Sequence, residues 1–145
     1  MTMINIEIID DDPPSIAHST QILNSLISEL ATEFARNGIE IQKTIGSFAT
    51  TEDFSITLEK RSPDLLIIDL AFESAYDRSG WEIIHQVAHR EIIPVIVYSA
   101  HADEPIPEDE IFKNLLIIRQ KKGEEDTDSY KGILKHLIVL KFNFR

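Results

Sequence analysis

The sequence predicts an α/β fold: a parallel five-stranded sheet with helices on both faces. Short apolar runs alternate along the chain with longer stretches in which apolar residues recur at helical spacing, the pattern of linked βα units. Two of the runs, "PDLLIIDL" at 63–70 and "IPVIVYSA" at 93–100, are apolar on both faces, as the inner strands of a parallel sheet must be. With 145 residues, 43% of them hydrophobic, the chain is long enough to bury a core of its own as one domain over 1–145.

Each element has its own signature. "INIEII" at 4–9 is an isoleucine-rich first strand. Pro13 and Pro14 break the chain there and open a helix, since proline is tolerated in a first turn. Ile16, Leu23, Leu26, Ile27, Leu30 and Phe34 continue that helix at core spacing until "NG" at 37–38 stops it. "IEIQKTIG" at 39–46 alternates apolar and polar residues, as a half-covered strand does. In "TTEDFSITLEK", Thr50 and Asp53 have capping-box spacing, with Phe54 and Leu58 on one helical face. The run 63–70 is the third strand, followed by the irregular loop "LAFESAYDRSG" and the helix "GWEIIHQVAHR", with Trp81, Ile84, Val87 and Ala88 inward. The run 93–100 is the fourth strand, and "PEDEIFKN" allows only a short fourth helix. "LLIIRQKK" turns polar at its end, as an edge strand does, and "DSYKGILKHLIVLK" closes the chain as a helix burying Ile133, Leu134, Leu137, Ile138 and Val139 or Leu140.

Composition excludes several function classes. The formal net charge of −11 argues against direct nucleic-acid binding, which needs a basic face, and suits a divalent cation or a basic partner. No apolar run reaches the roughly 18–20 residues of a membrane span, and "MTMINIEIID" lacks the basic start of a signal peptide. Cysteine is absent, which removes disulfide and thiolate chemistry and is consistent with a cytoplasmic site. The abrupt end "KFNFR" fits either a complete chain or a domain cut from a longer one.

In a doubly wound parallel sheet the functional groups gather beyond the carboxyl ends of the strands. Asp10, Asp11 and Asp12 follow the first strand, Asp69 ends the third, Ser99 ends the fourth, and Lys121 and Lys122 end the fifth. Hard carboxylate oxygens in a small cluster favour Mg²⁺, which binds through one or two carboxylates plus phosphate oxygens. A lysine and a serine hydroxyl would neutralise and hydrogen-bond the oxygens of a phosphoryl group in transit. Asp69 is the natural covalent acceptor, because the acids after the first strand are better placed to hold the metal. Taken singly, the aspartates of 10–12 serve equally as turn and N-cap residues, Ser99 as a loop serine and Lys122 as a solvated lysine. Asp69 resists such a reading, since a carboxylate ending a buried strand needs a partner.

In this order the residues resemble the receiver domains of bacterial two-component response regulators, the fold of the chemotaxis response regulator. "IIDDD" supplies the acidic pair Asp10 and Asp11, "PDLLIIDL" the acceptor Asp69, "PVIVYSA" the hydroxyl Ser99 and "QKKG" the lysine, Lys122 or Lys121, with Arg119 a third choice if the apolar run alone sets the register. "DRSGWEII" resembles the Asp-Gly segment that opens the family's third helix. The resemblance covers essentially the whole chain. It implies a flavodoxin-like (βα)5 three-layer sandwich with strand order 2-1-3-4-5. It also implies Mg²⁺ held by Asp10, Asp11, Asp69 and the backbone carbonyl of Ala71. Asp69 would take its phosphoryl group from a sensor histidine kinase or phosphotransfer protein. Phosphorylation would then switch a surface of helix 4, strand 5 and helix 5 that meets a protein target or dimer partner. Such a domain is a signalling switch rather than a metabolic enzyme, catalysing only its own phosphorylation and dephosphorylation. The resemblance also implies that the positions of His101 and Ala71 border the phosphorylation site and tune hydrolysis of the aspartyl-phosphate.

The chain departs from the family in five places. Gly123 stands where a proline usually follows the lysine, the fifth strand has no counterpart of the switching aromatic residue, the fourth helix is short and proline-flanked, and the loop 70–80 and the first helix are long. A pseudo-receiver, an interaction module that is not phosphorylated, is the alternative function. A haloacid-dehalogenase-type phosphatase would need a second aspartate where Ala71 stands, and flavodoxin-like cofactor binding would need a Ser/Thr/Gly-rich loop after the first strand. Of the histidines at 18, 85, 89, 101 and 136, His85 and His89 share a helix face at a spacing that suits zinc, but Gln86 stands where a metalloprotease has its glutamate. They are read as surface residues, and Trp81 as core or pocket rim.

Overall fold

The computed structural model describes residues 2–60, 62–70 and 79–143. Five strands alternate with five helices: β1 (Thr2–Ile9), α1 (Pro13–Ala35), β2 (Ile41–Phe48), α2 (Thr51–Lys60), β3 (Leu65–Ile68), α3 (Ser79–Arg90), β4 (Val95–Ser99), α4 (Glu110–Lys113), β5 (Ile117–Lys121) and α5 (Thr127–Asn143). All neighbouring strands pair in parallel, in the order β2-β1-β3-β4-β5. This is the flavodoxin-like sheet that the alternation of elements and the resemblance together predict.

Strand periodicity divides the core in two. Ile4, Ile6, Ile8, Leu65, Ile67, Ile96 and Tyr98 face one side of the sheet, where Leu23, Leu30 and Phe34 of α1 and Leu134 and Ile138 of α5 cover them. Ile9, Leu66, Ile68, Val95 and Val97 face the other side, against Phe54 and Leu58 of α2, Trp81, Ile83, Ile84 and Val87 of α3 and Phe112 of α4. The inner strands β3 and β4 are buried at every position, which is why they read as unbroken apolar runs. Edge strands β2 and β5 are only partly covered.

The helix boundaries follow local chemistry. Past α1, Gly38 N donates to Ala35 O and Ile39 N to Phe34 O, the Schellman pattern, with Ile39 and Phe34 both in the core. Asp53 N donates to Thr50 Oγ1 at 3.2 Å, one arm of the expected capping box. Asp12 is the N-cap of α1, but its side chain makes no capping bond. Two expectations for helix faces need correction. Val139 and Leu140 are both exposed, because the buried face of α5 runs through Tyr130, Ile133, Leu134, Leu137 and Ile138, and the next two positions rotate off it at about 100° per residue. Ala88 is only half-buried, and Ile83 is the further buried residue of α3. Among the described residues no helix is long and apolar enough to cross a membrane.

Candidate functional site

The parallel sheet brings the ends of β1, β3, β4 and β5 to one edge, and register fixes how their last residues meet. Asp69 N donates to Ile9 O at 2.9 Å, so Asp69 lies beside the exit of β1. Ser99 pairs with Lys121, and Lys122 N donates to Ser99 O at 3.3 Å. The first residue beyond β5 is therefore the one whose side chain turns over the edge.

Asp69 is the centre of the cluster. Ser99 Oγ donates to its Oδ1 at 2.6 Å, and Lys122 Nζ donates to its Oδ2 at 2.9 Å. The same ammonium lies 2.9 Å from Asp10 Oδ2. Side-chain exposures of 4% for Asp10, 12% for Asp69 and 24% for Lys122 make this a largely desolvated ion-paired group. Asp10 Oδ1 also accepts Asp12 N at 3.0 Å, an Asx turn that bends the chain away from β1. His101 N donates to Ser99 Oγ at 3.1 Å, so that hydroxyl is held from one side while it donates to Asp69 on the other.

The electrostatics agree with this geometry. Burial alone would lower the pKa of Lys122, but the hydrogen bonds and charges of Asp69 and Asp10 outweigh it and raise the value. Asp11 is exposed as a residue, yet partial desolvation of its carboxyl raises its pKa. The like charges of Asp10 and Asp69 add to that effect, and Lys122 opposes it. Asp10 and Asp69 share one ammonium, and Asp11 stands beside them with no ion pair among the described residues.

Of the three candidates at the end of β5, it is Lys122 whose ammonium reaches Asp10 and Asp69. Lys121 is exposed, and Arg119 instead donates from Nη1 to Glu104 O at 3.1 Å. The alternation of β5 sends Lys121 and Arg119 to the solvent side. Ala71 lies outside the described residues. His101 sits at the site's border, its Nδ1 3.4 Å from Glu104 Oε1. His85 and His89 meet edge to face with ring centroids 4.4 Å apart, and His85 Nε2 lies 3.1 Å from Asp109 Oδ2.

The donor set at the edge is chemically suited to Mg²⁺: hard, clustered carboxylates with excess negative charge at Asp11. Among the described residues no three acidic or imidazole groups converge into a metal cage. Mg²⁺ does not need one, since it keeps several waters and uses one or two carboxylates beside a phosphate oxygen. Asp10, Asp11 and Asp69 are the carboxylates at this edge that could hold it, and the expected fourth ligand, the Ala71 carbonyl, lies outside the described residues.

Two contributors escape the strand-end pattern. Gly80, at the start of α3, packs so closely that a Cβ there would stand 2.5 Å from Leu70 Cα and 2.9 Å from Asp69 O. Its N–H donates to Leu70 O at 3.2 Å, so α3 braces the peptide that carries Asp69. The glycine of "DRSGWEII" was the available signal. Tyr98 is the second, its hydroxyl accepting from Gly123 N at 3.4 Å and donating to Glu125 Oε2 at 3.4 Å. Nothing in the sequence links β4 to the loop after β5.

No family model matches the chain, and no curated protein does. Solved structures do match. The N-terminal domain of a response regulator/sensory box/GGDEF three-domain protein from Carboxydothermus hydrogenoformans aligns over 97% of this chain and 99% of its own, with 17% identity and a TM-score of 0.63. The signal receiver domain of a DNA-binding response regulator from Colwellia psychrerythraea 34H aligns over 94% and 98%, with 20% identity and a TM-score of 0.64. The receiver domain of the Erythrobacter litoralis response regulator PhyR aligns over 97% and 94%, with 21% identity and a TM-score of 0.57. Across nearly its whole length, this chain has the fold of response regulator receiver domains.

Proposed function

We propose that the chain is a phospho-accepting receiver domain in which Asp69 takes a phosphoryl group from a histidine kinase or a phosphotransfer protein. The observation that carries this reading is the coordination of the Asp69 carboxylate, with Ser99 Oγ at 2.6 Å on one oxygen and Lys122 Nζ at 2.9 Å on the other. As the Asp69–phosphoryl bond forms and the donor's bond breaks, the Ser99 hydroxyl and the Lys122 ammonium pass from the carboxylate to the new phosphoryl oxygens. Bound Mg²⁺, held through Asp10 and Asp11, would supply charge neutralisation of those oxygens.

Both donors stand where a strand hands over to a loop. Ser99 leads into 100–109 and α4, and Lys122 leads into 123–126 and α5, so retracting either side chain biases the face made by α4, β5 and α5. That face is the output surface for a protein target or a second copy in this reading. The chain then acts as a cytoplasmic switch whose only catalysis is of its own phosphorylation and dephosphorylation. The test is intact mass after incubation with Mg²⁺ and acetyl phosphate, beside an Asp69→Ala control. An acid-stable, hydroxylamine-labile phosphoryl adduct confined to the wild type is the expected result. Absence of an adduct, with beryllofluoride also failing to bind, would establish the pseudo-receiver instead.

A further inference from the structure

The turn after β5 is tied to the first helix by one side chain. His18, on α1, hydrogen-bonds through Nε2 to Glu125 Oε1, a contact between residues 107 positions apart. An ionised carboxylate only accepts, so the imidazole nitrogen is the donor. The other carboxylate oxygen accepts from the Tyr98 hydroxyl at 3.4 Å, and that hydroxyl accepts from Gly123 N at 3.4 Å. His18 and Tyr98 face each other with ring centroids 6.5 Å apart and planes inclined by 33°. Lys122, whose ammonium lies 2.9 Å from Asp69, is the residue before Gly123. The series His18, Glu125, Tyr98, Gly123 therefore ends one peptide away from the lysine of the site.

The charges around His18 single out Glu125 as its partner. From α5, Asp128 and Lys131 line the same groove as His18, and from α1 so does Glu29. Lys131 Nζ lies 3.5 Å from Glu29 Oε2, which offsets its charge, while Asp128 adds to the negative field of Glu125. Tyr98 of β4 and Tyr130 of α5 are both kept neutral by burial. The hydrogen bond from His18 lowers the pKa of Glu125, so that carboxylate keeps its charge into acid. The His18 side chain is 47% exposed and exchanges protons with solvent, whereas Glu125 is only 14% exposed. An imidazole gains its charge near about pH 6.5, which converts a neutral donor on a carboxylate into an ion pair.

We propose that His18 is a positioning residue for the Asp69 reaction, its protonation tightening the 123–126 turn and with it the aim of Lys122. The effect reaches Asp69 through Glu125 and Tyr98, and it makes the site more reactive at pH 6 than at pH 8. This inference rests on the phospho-acceptor reading and adds a proton-sensitive regulator to it.

Two measurements on the full chain test it. In the first, without Mg²⁺ or a phosphodonor, the His18 ring and Gly123 amide resonances are followed from pH 5.5 to pH 8. The Gly123 amide should follow the same curve as the His18 ring. It should stay flat in His18→Gln, which keeps a donor but cannot gain the charge. A Gly123 amide that does not titrate, or titrates unchanged in His18→Gln, would overturn the proposal. In the second, initial rates of adduct formation from acetyl phosphate in saturating Mg²⁺ are compared for both proteins at pH 6 and pH 8. Taking the ratio at each pH cancels the titration of the phosphodonor and of the aspartates. Wild type should exceed His18→Gln about two- to fivefold at pH 6, the range that an exposed ion pair supplies, and match it at pH 8. A ratio that is the same at both pH values would overturn the proposal, since a merely structural His18 acts equally at each. If neither protein forms an adduct, the phospho-acceptor reading fails and takes the tuned reaction with it, whereas the Gly123 curve tests the turn by itself.

Discussion

Replacing Asp11 by asparagine separates the two roles that negative charge plays at the sheet edge. Asp10 and Asp69 each have Lys122 Nζ at 2.9 Å, whereas Asp11 makes no ion pair among the described residues. Its pKa is raised, by desolvation first and by Asp10 and Asp69 next. An acid whose folded pKa lies above its unfolded value binds more protons folded than unfolded between the two values. Stability therefore falls as pH rises through that window and stays reduced above it. At pH 7 the ionised Asp11 opposes folding, and asparagine removes the opposition. Because the side chain is solvent-exposed, screening holds the gain to about 0.5–1 kcal/mol, or roughly 2 °C in Tm for a chain of this size. The assay is thermal unfolding by circular dichroism in EDTA at pH 7, where Asp11→Asn should melt above wild type. The advantage should shrink as the pH is lowered towards 4. In Mg²⁺ at ten times its Kd the wild type should gain about 1.4 kcal/mol. The variant, short of a ligand, should gain less, so that the order of the two Tm values inverts. An Asp11→Asn protein that melts below wild type in EDTA would refute the reasoning, because Asp11 would then be making net favourable contacts.

Other substitutions probe the remaining parts of the site and core. Lys122→Met leaves the buried Asp10 and Asp69 carboxylates uncompensated and should destabilise the fold by about 3 kcal/mol in EDTA, measured by urea unfolding, with Asp10→Asn added to it recovering part of the loss. Gly80→Ala drives a Cβ into the backbone of Leu70 and Asp69, atoms that cannot step aside as a side chain can. It should cost about 2–3 kcal/mol and slow adduct formation from acetyl phosphate. Phe54→Ala empties a fully buried site that packs edge-on against Phe48 at 5.5 Å, and should lower unfolding free energy by about 3–5 kcal/mol while leaving the aspartate cluster able to react.

The sheet was legible because its inner strands advertise themselves. "LLII" and "VIVYS" are buried at every position, and a run apolar on both faces fits only the interior of a parallel sheet. Legibility of the site followed from that sheet, since placing Asp10, Asp69, Ser99 and Lys122 at strand ends was enough to place them together. The choice between Lys121 and Lys122 was not legible. It depends on the one-residue register Ser99↔Lys121, and a one-residue slip reverses which side chain reaches over the edge. Val139 and Leu140 misled for a different reason: apolar composition at the end of α5 does not reveal which of several adjacent apolar residues faces inward.

The surroundings of Lys122 also show what holds a loop that has glycine, not proline, after the lysine. Gly123 occupies that place with φ of +86°, a left-handed conformation that glycine adopts without strain, and the chain turns there with Glu124 N donating to Lys121 O at 2.9 Å. A glycine turn alone would leave the lysine loosely aimed, since glycine has the most backbone freedom to lose. The constraint comes from outside the loop. Gly123 N donates to the Tyr98 hydroxyl on β4, Asp126 N donates to Gln120 Oε1 on β5, and Glu125 is joined to Tyr98 and, through a short contact, to His18 on α1. The hydrogen bond from His18 is the main reason that the Glu125 carboxyl has a lowered pKa, so its charge is retained well into acid. Tyr98 is buried beside the very strand end that carries Ser99. The serine and the lysine that flank Asp69 are thus referenced to one strand, β4, by two successive residues pointing to opposite faces of the sheet. Ser99 reaches the carboxylate directly, and Tyr98 fixes the turn from which Lys122 reaches it.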